Sequence, residues 1–297
     1  MKILMTGGTG FIGGALTRRL ARQGHSVLVL TRRTGHLDSK NISYINSLQE
    51  IPESDHCECF INLAGENMAR KRWNDERKAA LVESRVGTTR ALFGLAGRLD
   101  SPPSVLLSAS AVGYYGHQGD ERLGEDARPV DGFSHRLCQT WEDEARRFEE
   151  LGSRVCLMRF GVVLDRDGGA FSELAGSARF GIGSWLGDGA QWLSWVHRED
   201  VLAAIDYLLA GEKLSGAYNL SAPEPVTNRG FCDELARHGR GFVKLPVPAV
   251  ALRLALGEMA EELLLHGQRA VPSRLLASGF RFRYDTLAEA LPDLLAA

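Results

Sequence analysis

Apolar residues along the first 160 positions recur in two alternating rhythms. Short runs rich in Val, Ile and Leu stand at KILMT (2–6), SVLVLT (26–31), ISYI (42–45), CFINLA (59–64), SVLLSAS (104–110) and RVCLMRF (154–160). Runs of this length predict buried strands. Between most of them the apolar spacing widens to three and four residues, which predicts helices over 11–23, 75–98 and 133–151. In the last of these Phe133, Leu137, Trp141, Ala145 and Phe148 share one face. Strands alternating with helices predict an α/β fold, a doubly wound parallel sheet covered on both faces. GAYNLSA (216–222) predicts a seventh strand returning to that sheet.

Beyond Asp165 the rhythm changes. Residues 165–191 are glycine-rich without a regular period, as in a loop region beside a site. Residues 225–297 carry helical patterns broken by Pro246, Pro248 and Pro272. The expected organisation is a nucleotide-binding domain over 1–164, with 192–222 returning to it. A small substrate or cap lobe is expected from 165–191 and 223–297.

Composition removes several function classes. The formal net charge is −2, and charged residues make up 24% of the chain without a long run of one sign, so nucleic acid is not expected as a partner. No apolar stretch reaches the length of a membrane span, so no membrane partner is expected. A strand starting at Lys2 leaves no room for a presequence, and the five cysteines (Cys57, Cys59, Cys138, Cys156 and Cys232) are scattered without metal-ligand spacing. Reduced thiols in a cytoplasmic protein and no bound metal are the expectation.

The strongest chemical signal is TGGTGFIGG (6–14), directly after the first strand. Gly7, Gly10 and Gly13 fall at the positions where a dinucleotide-binding turn must bend tightly and let a pyrophosphate approach the backbone. Phe11 and Ile12 open the helix whose amides face it. The second strand ends in Thr31, Arg32 and Arg33 rather than in the carboxylate that would hold a ribose 2′-hydroxyl. Guanidinium groups suit a 2′-phosphate, which points to NADP(H); the other reading is solvated surface arginines. The fourth strand exits through NLAGEN (62–67), which carries Leu63, Ala64 and Gly65 past the adenosine or ribose. Glu66 is either a ribose ligand or the start of a polar loop.

These pieces, with SRVGTTRAL (84–92), SASAVGYYG (108–116), RFGVVL (159–164), WLGDGAQWLSWVHREDV (185–201) and HGQRAVPSRLLASGFRF (266–282), resemble the extended short-chain dehydrogenase/reductases. The likeness is to the NAD(P)-dependent epimerase/dehydratase type, in an atypical branch with a short C-terminal domain of unknown function. The resemblance implies a Rossmann fold, a homodimer through the helices flanking the sheet, and cofactor contacts that include Arg85 and Val163. It also implies an acid–base set of Ser on the fifth strand with Tyr and Lys on the next helix. Ser110 matches the Ser, whereas Ser134 stands at the Tyr position and Cys138 at the Lys position. Neither replaces the proton chemistry of that pair.

Substitutes are available. Tyr114 and Tyr115 follow the fifth strand, as packing residues or, for Tyr115, as a proton carrier. Cys138 is an inert helical thiol or an acid–base group. QWLSWVHRED (191–200) gathers Trp192, Trp195, His197 and Arg198, aromatic faces and an imidazole that suit a ring-bearing small molecule, with His197 either catalytic or structural. Asp200 is expected to cap or orient the helix that follows, and Asn228 to N-cap the next one. Arg269, Pro272 and Arg274 either contact an anionic substrate or lie exposed. The expected function is an NADP(H)-dependent oxidoreductase or epimerase-like enzyme acting on a small molecule, with a nucleotide sugar suggested by the resemblance alone. The alternative is a non-catalytic NADP(H)-binding redox sensor or scaffold.

Overall fold

Along β1 (Lys2–Thr6) the side chains alternate between two cores, as the two-residue period of a strand requires. Ile3 and Met5 join Val27, Val29, Leu16 and Leu20 on one face, while Leu4 joins Phe60, Leu106, Leu92 and Phe148 on the other. A strand apolar on both faces belongs inside a parallel sheet with helices on each side. The computed structural model, which describes residues 1–174, 182–238 and 243–296, has that architecture.

Seven parallel strands form the central sheet: β1, β2 (Ser26–Leu30), β3 (Ile42–Ile45), β4 (Cys59–Asn62), β5 (Val105–Ala111), β6 (Arg154–Phe160) and β7 (Gly216–Leu220). Their spatial order is β7-β6-β5-β4-β1-β2-β3, so the winding reverses between β1 and β4. Ligands bind beyond the carboxyl ends of the strands at such a reversal. All six predicted strands and the returning seventh are present, each shifted by at most two residues at an end. Helix α1 (Phe11–Arg22) follows β1 directly.

The helix expected over 75–98 is one run with an irregularity inside it. Helices α2 (Asp75–Val82) and α3 (Thr88–Arg98) join through a π-turn at Glu83–Gly87. The wider turn brings Arg85 and Val86 inward together. Leu81, Leu92 and Leu95 are buried on either side of it, so the apolar spacing alone does not reveal the insertion. Helix α4 (Phe133–Arg146) continues as a 3-10 turn to Leu151 and stops at Gly152, whose φ of 81° is left-handed.

The second half is stitched to the first. Trp195–His197 pairs in parallel with Val162–Asp165, and helix α5 (Arg198–Ala210) returns across the sheet. A separate core of Leu164, Phe171, Trp195, Phe231, Tyr284, Leu287 and Leu291 holds the lobe, yet Leu275 and Phe280 near the C-terminus pack into the sheet's own core. Arg274, left open between ligand contact and exposure, donates to the carbonyls of Ala217 and Ser215, both at 2.7 Å, and so ties the C-terminal segment to β7. Residues 175–181 of the glycine-rich stretch lie outside the described residues.

Two expected caps belong to neighbours. Thr227 Oγ1 accepts from the Gly230 amide at 3.0 Å and caps helix α6 (Asn228–His238), while the Asn228 carboxamide accepts from the Leu186 amide at 2.8 Å. His197 caps α5 by accepting from the Glu199 amide. Asp200 instead receives the amides of Arg283 and Tyr284, at 2.7 and 3.2 Å.

Candidate functional site

Glycine shapes the floor of the cleft at the sheet reversal. Gly7 has φ +69°, and a Cβ on Gly13 would sit 2.1 Å from the Gly7 carbonyl oxygen, so helix α1 packs against the turn only because Gly13 has no side chain. Gly10 N-caps α1 without any side-chain acceptor, which leaves the first-turn amides and the positive end of the helix facing the cleft. A cavity of about 470 Å³ runs from Gly7, Gly10, Phe11, Ile12 and Gly13, past Leu63–Gly65 and Arg85, to Ser110, Ser134, Cys138 and Trp192. This backbone cradle, with donors and no bulk, fits the pyrophosphate of a dinucleotide.

Around the other expected cofactor contacts the geometry divides. Thr31 is buried and accepts from the Arg33 amide at 3.1 Å, bending the chain so that Arg32 and Arg33 stand exposed after β2. No carboxylate forms an ion pair with either among the described residues. Glu66 is engaged by Arg77, whose hydrogen bond holds its carboxyl below the ordinary range, and it does not line the cleft. Val162 rather than Val163 faces the cavity; Val163 packs against the sheet's core.

At the far end, Ser110 Oγ donates to Glu142 Oε1 at 2.7 Å. Glu142 is fully buried in a two-point pair with Arg159, at 2.7 Å from Nε and 2.9 Å from Nη2. Arg159 Nη1 also donates to the Tyr115 hydroxyl at 3.0 Å, and that hydroxyl donates to Asn219 Oδ1 at 2.7 Å. Tyr115 is therefore a member of a buried network behind β5 and not a wall residue of the cleft, contrary to the expectation of a proton carrier. Tyr114 lies with its ring 3.5 Å from the Arg159 guanidinium carbon. The network holds the only proton of the Ser110 hydroxyl on Glu142, so toward the cleft Ser110 offers lone pairs.

Ser134, at the position where the resemblance expects Tyr, has a buried hydroxyl in the cleft wall with no hydrogen-bond partner. Buried polar atoms in a folded protein are normally satisfied, so an orphan hydroxyl facing a cavity marks a place for a ligand. Burial pushes the Cys138 thiol up to about 12, which keeps it protonated at neutral pH. All five cysteines are buried, and none forms a disulfide among the described residues.

The C-terminal segment closes this end. Glu262 accepts from the amides of Phe133 and Ser134, at 3.1 and 3.2 Å, and so caps α4 from across the molecule. Glu262, Leu263, His266, Gly267 and Gln268 all line the cleft; the last three open the motif HGQRAVPSRLLASGFRF, and none of the five was expected at the site. Trp192 lines it too, held by Asp120 at 2.8 Å and by Arg269, whose guanidinium lies 4.2 Å from its ring centre. An adjoining cavity of about 520 Å³, bounded by His117, Asp120, Arg253 and His266, continues outward.

The remaining aromatic and imidazole candidates sit elsewhere. Trp195 is fully buried in the lobe core, with Nε1 donating to the Glu224 carbonyl at 3.0 Å. His197 lies on the same strand, its ring tilted against Tyr284 at 4.5 Å between centres, with Nε2 3.2 Å from an Asp293 carboxylate oxygen. It does not line the cleft. Burial outweighs the nearby carboxylates and lowers its pKa. Arg198 pairs with Asp165 at 2.9 Å.

The comparisons with known proteins agree with this geometry. Residues 3–221 match the NAD dependent epimerase/dehydratase family, and residues 247–294 match a domain of unknown function, DUF1731. The epimerase family protein YfhF of Bacillus subtilis is 39% identical over 301 residues, covering all of this chain and 98% of its own. The structure of human epimerase family protein SDR39U1 (isoform 2) with NADPH superposes over the whole of both chains with a TM-score of 0.90 at 29% identity. A nucleoside-diphosphate sugar epimerase from Corynebacterium glutamicum is similar at TM-score 0.79 and 30% identity, over 99% of this chain and 58% of that one. With a doubly wound sheet, a glycine cradle at its reversal and a family match over most of its length, the chain belongs to the NAD-dependent epimerase/dehydratase family.

Proposed function

We propose that the protein binds NADP(H) in the glycine cradle and exchanges hydride with a small molecule seated against Ser110 and Ser134. The observation that carries this reading is the continuity of one cleft from the cradle to the orphan Ser134 hydroxyl. Gly7, Gly10, Phe11, Ile12 and Gly13 hold the pyrophosphate, Leu63–Gly65 flank the ribose, and exposed Arg32 and Arg33 receive the 2′-phosphate. The bound nicotinamide supplies hydride chemistry.

The chain's own residues position the second ligand. Ser110, its proton committed to Glu142, accepts a hydrogen bond from a ligand hydroxyl or amine. Ser134 donates or accepts as the ligand requires. Neither serine is a useful base without help, and Cys138 stays a thiol. Glu262 and His266, carboxylate and imidazole, are the wall groups of the kind that exchange protons in catalysis, and both come from the C-terminal segment. That NADPH accompanies the human relative, and a sugar epimerase is similar in fold, supports an oxidoreductase or epimerase-like enzyme whose substrate carries hydroxyl groups.

A second reading, a redox sensor without turnover, is favoured by the lack of any Tyr or Lys among the cleft-lining described residues. Hydride tracing separates the two. Protein loaded with NADPH deuterated at C4 is incubated with a metabolite extract and the products are weighed by mass spectrometry. Protein-dependent deuterium in one metabolite is expected. NADPH binding without any label transfer would overturn the hydride-exchange reading.

A further inference from the structure

Few of the described residues that line the cleft can pass a proton near neutral pH. The Cys138 thiol stays protonated, and both Glu262 oxygens are taken by the amides at the start of α4. The imidazole of His266 remains.

His266 directly follows a π-turn, Glu261–Leu265, which closes the helical stretch beyond α7 (Ala249–Leu256). On an α-helix the side chains that share a face are three or four apart, and a residue five along points elsewhere. A π-turn closes on the fifth residue, so positions five apart come together. Here that sets Glu261 against His266, with Glu261 Oε2 3.2 Å from His266 Nε2. The other carboxylate oxygen, Oε1, accepts from Nε of Arg253 on α7. This hydrogen bond holds the Glu261 carboxyl below its usual range, so it is ionised at neutral pH. An ionised acceptor keeps the proton of a neutral imidazole on Nε2, which leaves Nδ1 as the bare nitrogen. No hydrogen bond reaches Nδ1 among the described residues.

The ring is also held from a second side. His117 lies against it, with ring centres 4.1 Å apart and planes tilted by 33°. His266 belongs to the walls of both the cleft and the outer cavity that adjoins it. With 41% of its side chain exposed, the ring exchanges protons with water while it serves the cleft.

We propose that His266 is the catalytic acid–base group of the cleft and that Glu261 is its positioning residue. The proposal rests on the reading that the cleft exchanges hydride with a small molecule. In the reducing direction the imidazolium gives its Nδ1 proton to the oxygen of a ligand carbonyl, as the carbonyl carbon gains hydride from NADPH. The products are an alcohol, NADP⁺ and a neutral imidazole, which regains a proton from water through the outer cavity. In the oxidising direction the bare Nδ1 takes the hydroxyl proton as hydride leaves the same carbon. Glu261 keeps the ring in one orientation and stabilises the imidazolium, as a carboxylate behind a catalytic histidine does.

The test measures deuterium transfer from C4-labelled NADPH to the metabolites of an extract, with NADPH affinity read by calorimetry alongside. The full chain is compared with His266→Gln, His266→Ala, and His266→Ala combined with Glu261→Gln. A positioned acid–base group contributes about a hundredfold or more, so transfer is expected to fall by that factor in both single variants. NADPH affinity should stay within about twofold of the wild type. Added imidazole is expected to restore transfer in His266→Ala and to restore less in the double variant; equal restoration would remove the positioning role from Glu261. A second readout needs no turnover. Carbethoxylation of His266 by diethyl pyrocarbonate, mapped by mass spectrometry, should slow when NADPH fills the cleft, whereas His25 and His238, which do not line it, react as before. Transfer that survives in both His266 variants, or carbethoxylation of His266 that NADPH leaves unchanged, would overturn this proposal alone. A wild-type chain that binds NADPH and transfers no label would overturn the hydride-exchange reading and the proposal with it.

Discussion

The two ends of the cleft are built by different means. At the cradle end the ligand meets backbone: Gly7, Gly10 and Gly13 sit within seven residues, and what they do follows from lacking a Cβ. At the far end the ligand meets side chains whose behaviour is set by residues far along the chain. Ser110 is fixed by Glu142, Glu142 by Arg159, and the start of α4 by Glu262, which is 129 residues from Phe133. A site made of backbone is local and can be recognised from spacing; a site made of side-chain networks is not. The same contrast holds in cost, because a buried ion pair supports the far end and no charge supports the cradle.

The sharpest way to break the contrast is at Glu142. Glu142→Ala leaves Arg159 buried without its partner, for which the expected loss of stability is about 3–5 kcal/mol in chemical denaturation. A loss below about 1 kcal/mol, the range of exposed pairs, would show that the network does not hold this end together. At the other end, Gly13→Ala puts a Cβ 2.1 Å from the Gly7 oxygen. Overpacking of this kind costs about 1–3 kcal/mol, so NADPH affinity is expected to fall about tenfold to a hundredfold at the calorimeter. Joint replacement Arg32→Ala and Arg33→Ala sharpens the comparison. Removing a charged hydrogen bond worth about 1.5 kcal/mol should weaken NADPH about tenfold and leave NADH as it was. Equal weakening of both would remove the 2′-phosphate assignment.

The smallest expected effect concerns His197. Burial lowers its pKa below 6.5 in the folded chain, so the unfolded chain binds the proton more readily. Stability therefore falls as pH drops through 6.5 and levels off below the folded-state pKa. His197→Asn retains an acceptor for the Glu199 amide and should remove that part of the slope while leaving turnover near wild type, since His197 is outside the cleft. A pH–rate profile that loses a limb in this variant would return His197 to the chemistry.

The sheet, its parallel sense and the returning β7 were all legible, because buried parallel strands need continuous apolar runs. The cradle was legible for the reason already given. Four features were not. Tyr115 and His197 drew notice as titratable residues beside the right strands, but whether such a residue faces a cavity or a core depends on partners remote in sequence, here Asn219 and Asp293. The Arg85 π-turn leaves no trace in apolar spacing. Glu262 carries no motif and His266 only opens one; the signal that finds Glu262 is three-dimensional, the two amides of α4 that need an acceptor from outside their own helix. Asn228 is a similar case at smaller scale, since Thr227 beside it is an equally good cap and the structure uses that one.

The central claim is that cradle and serines share one ligand-filled cleft. Amide hydrogen exchange on the full chain, with and without saturating NADPH, tests it most directly. Slower exchange is expected both in residues 7–14 and in the segments 108–113 and 132–138 during the same titration. Protection confined to residues 7–14 would contradict the account, for it would leave Ser110 and Ser134 outside the space that the dinucleotide occupies.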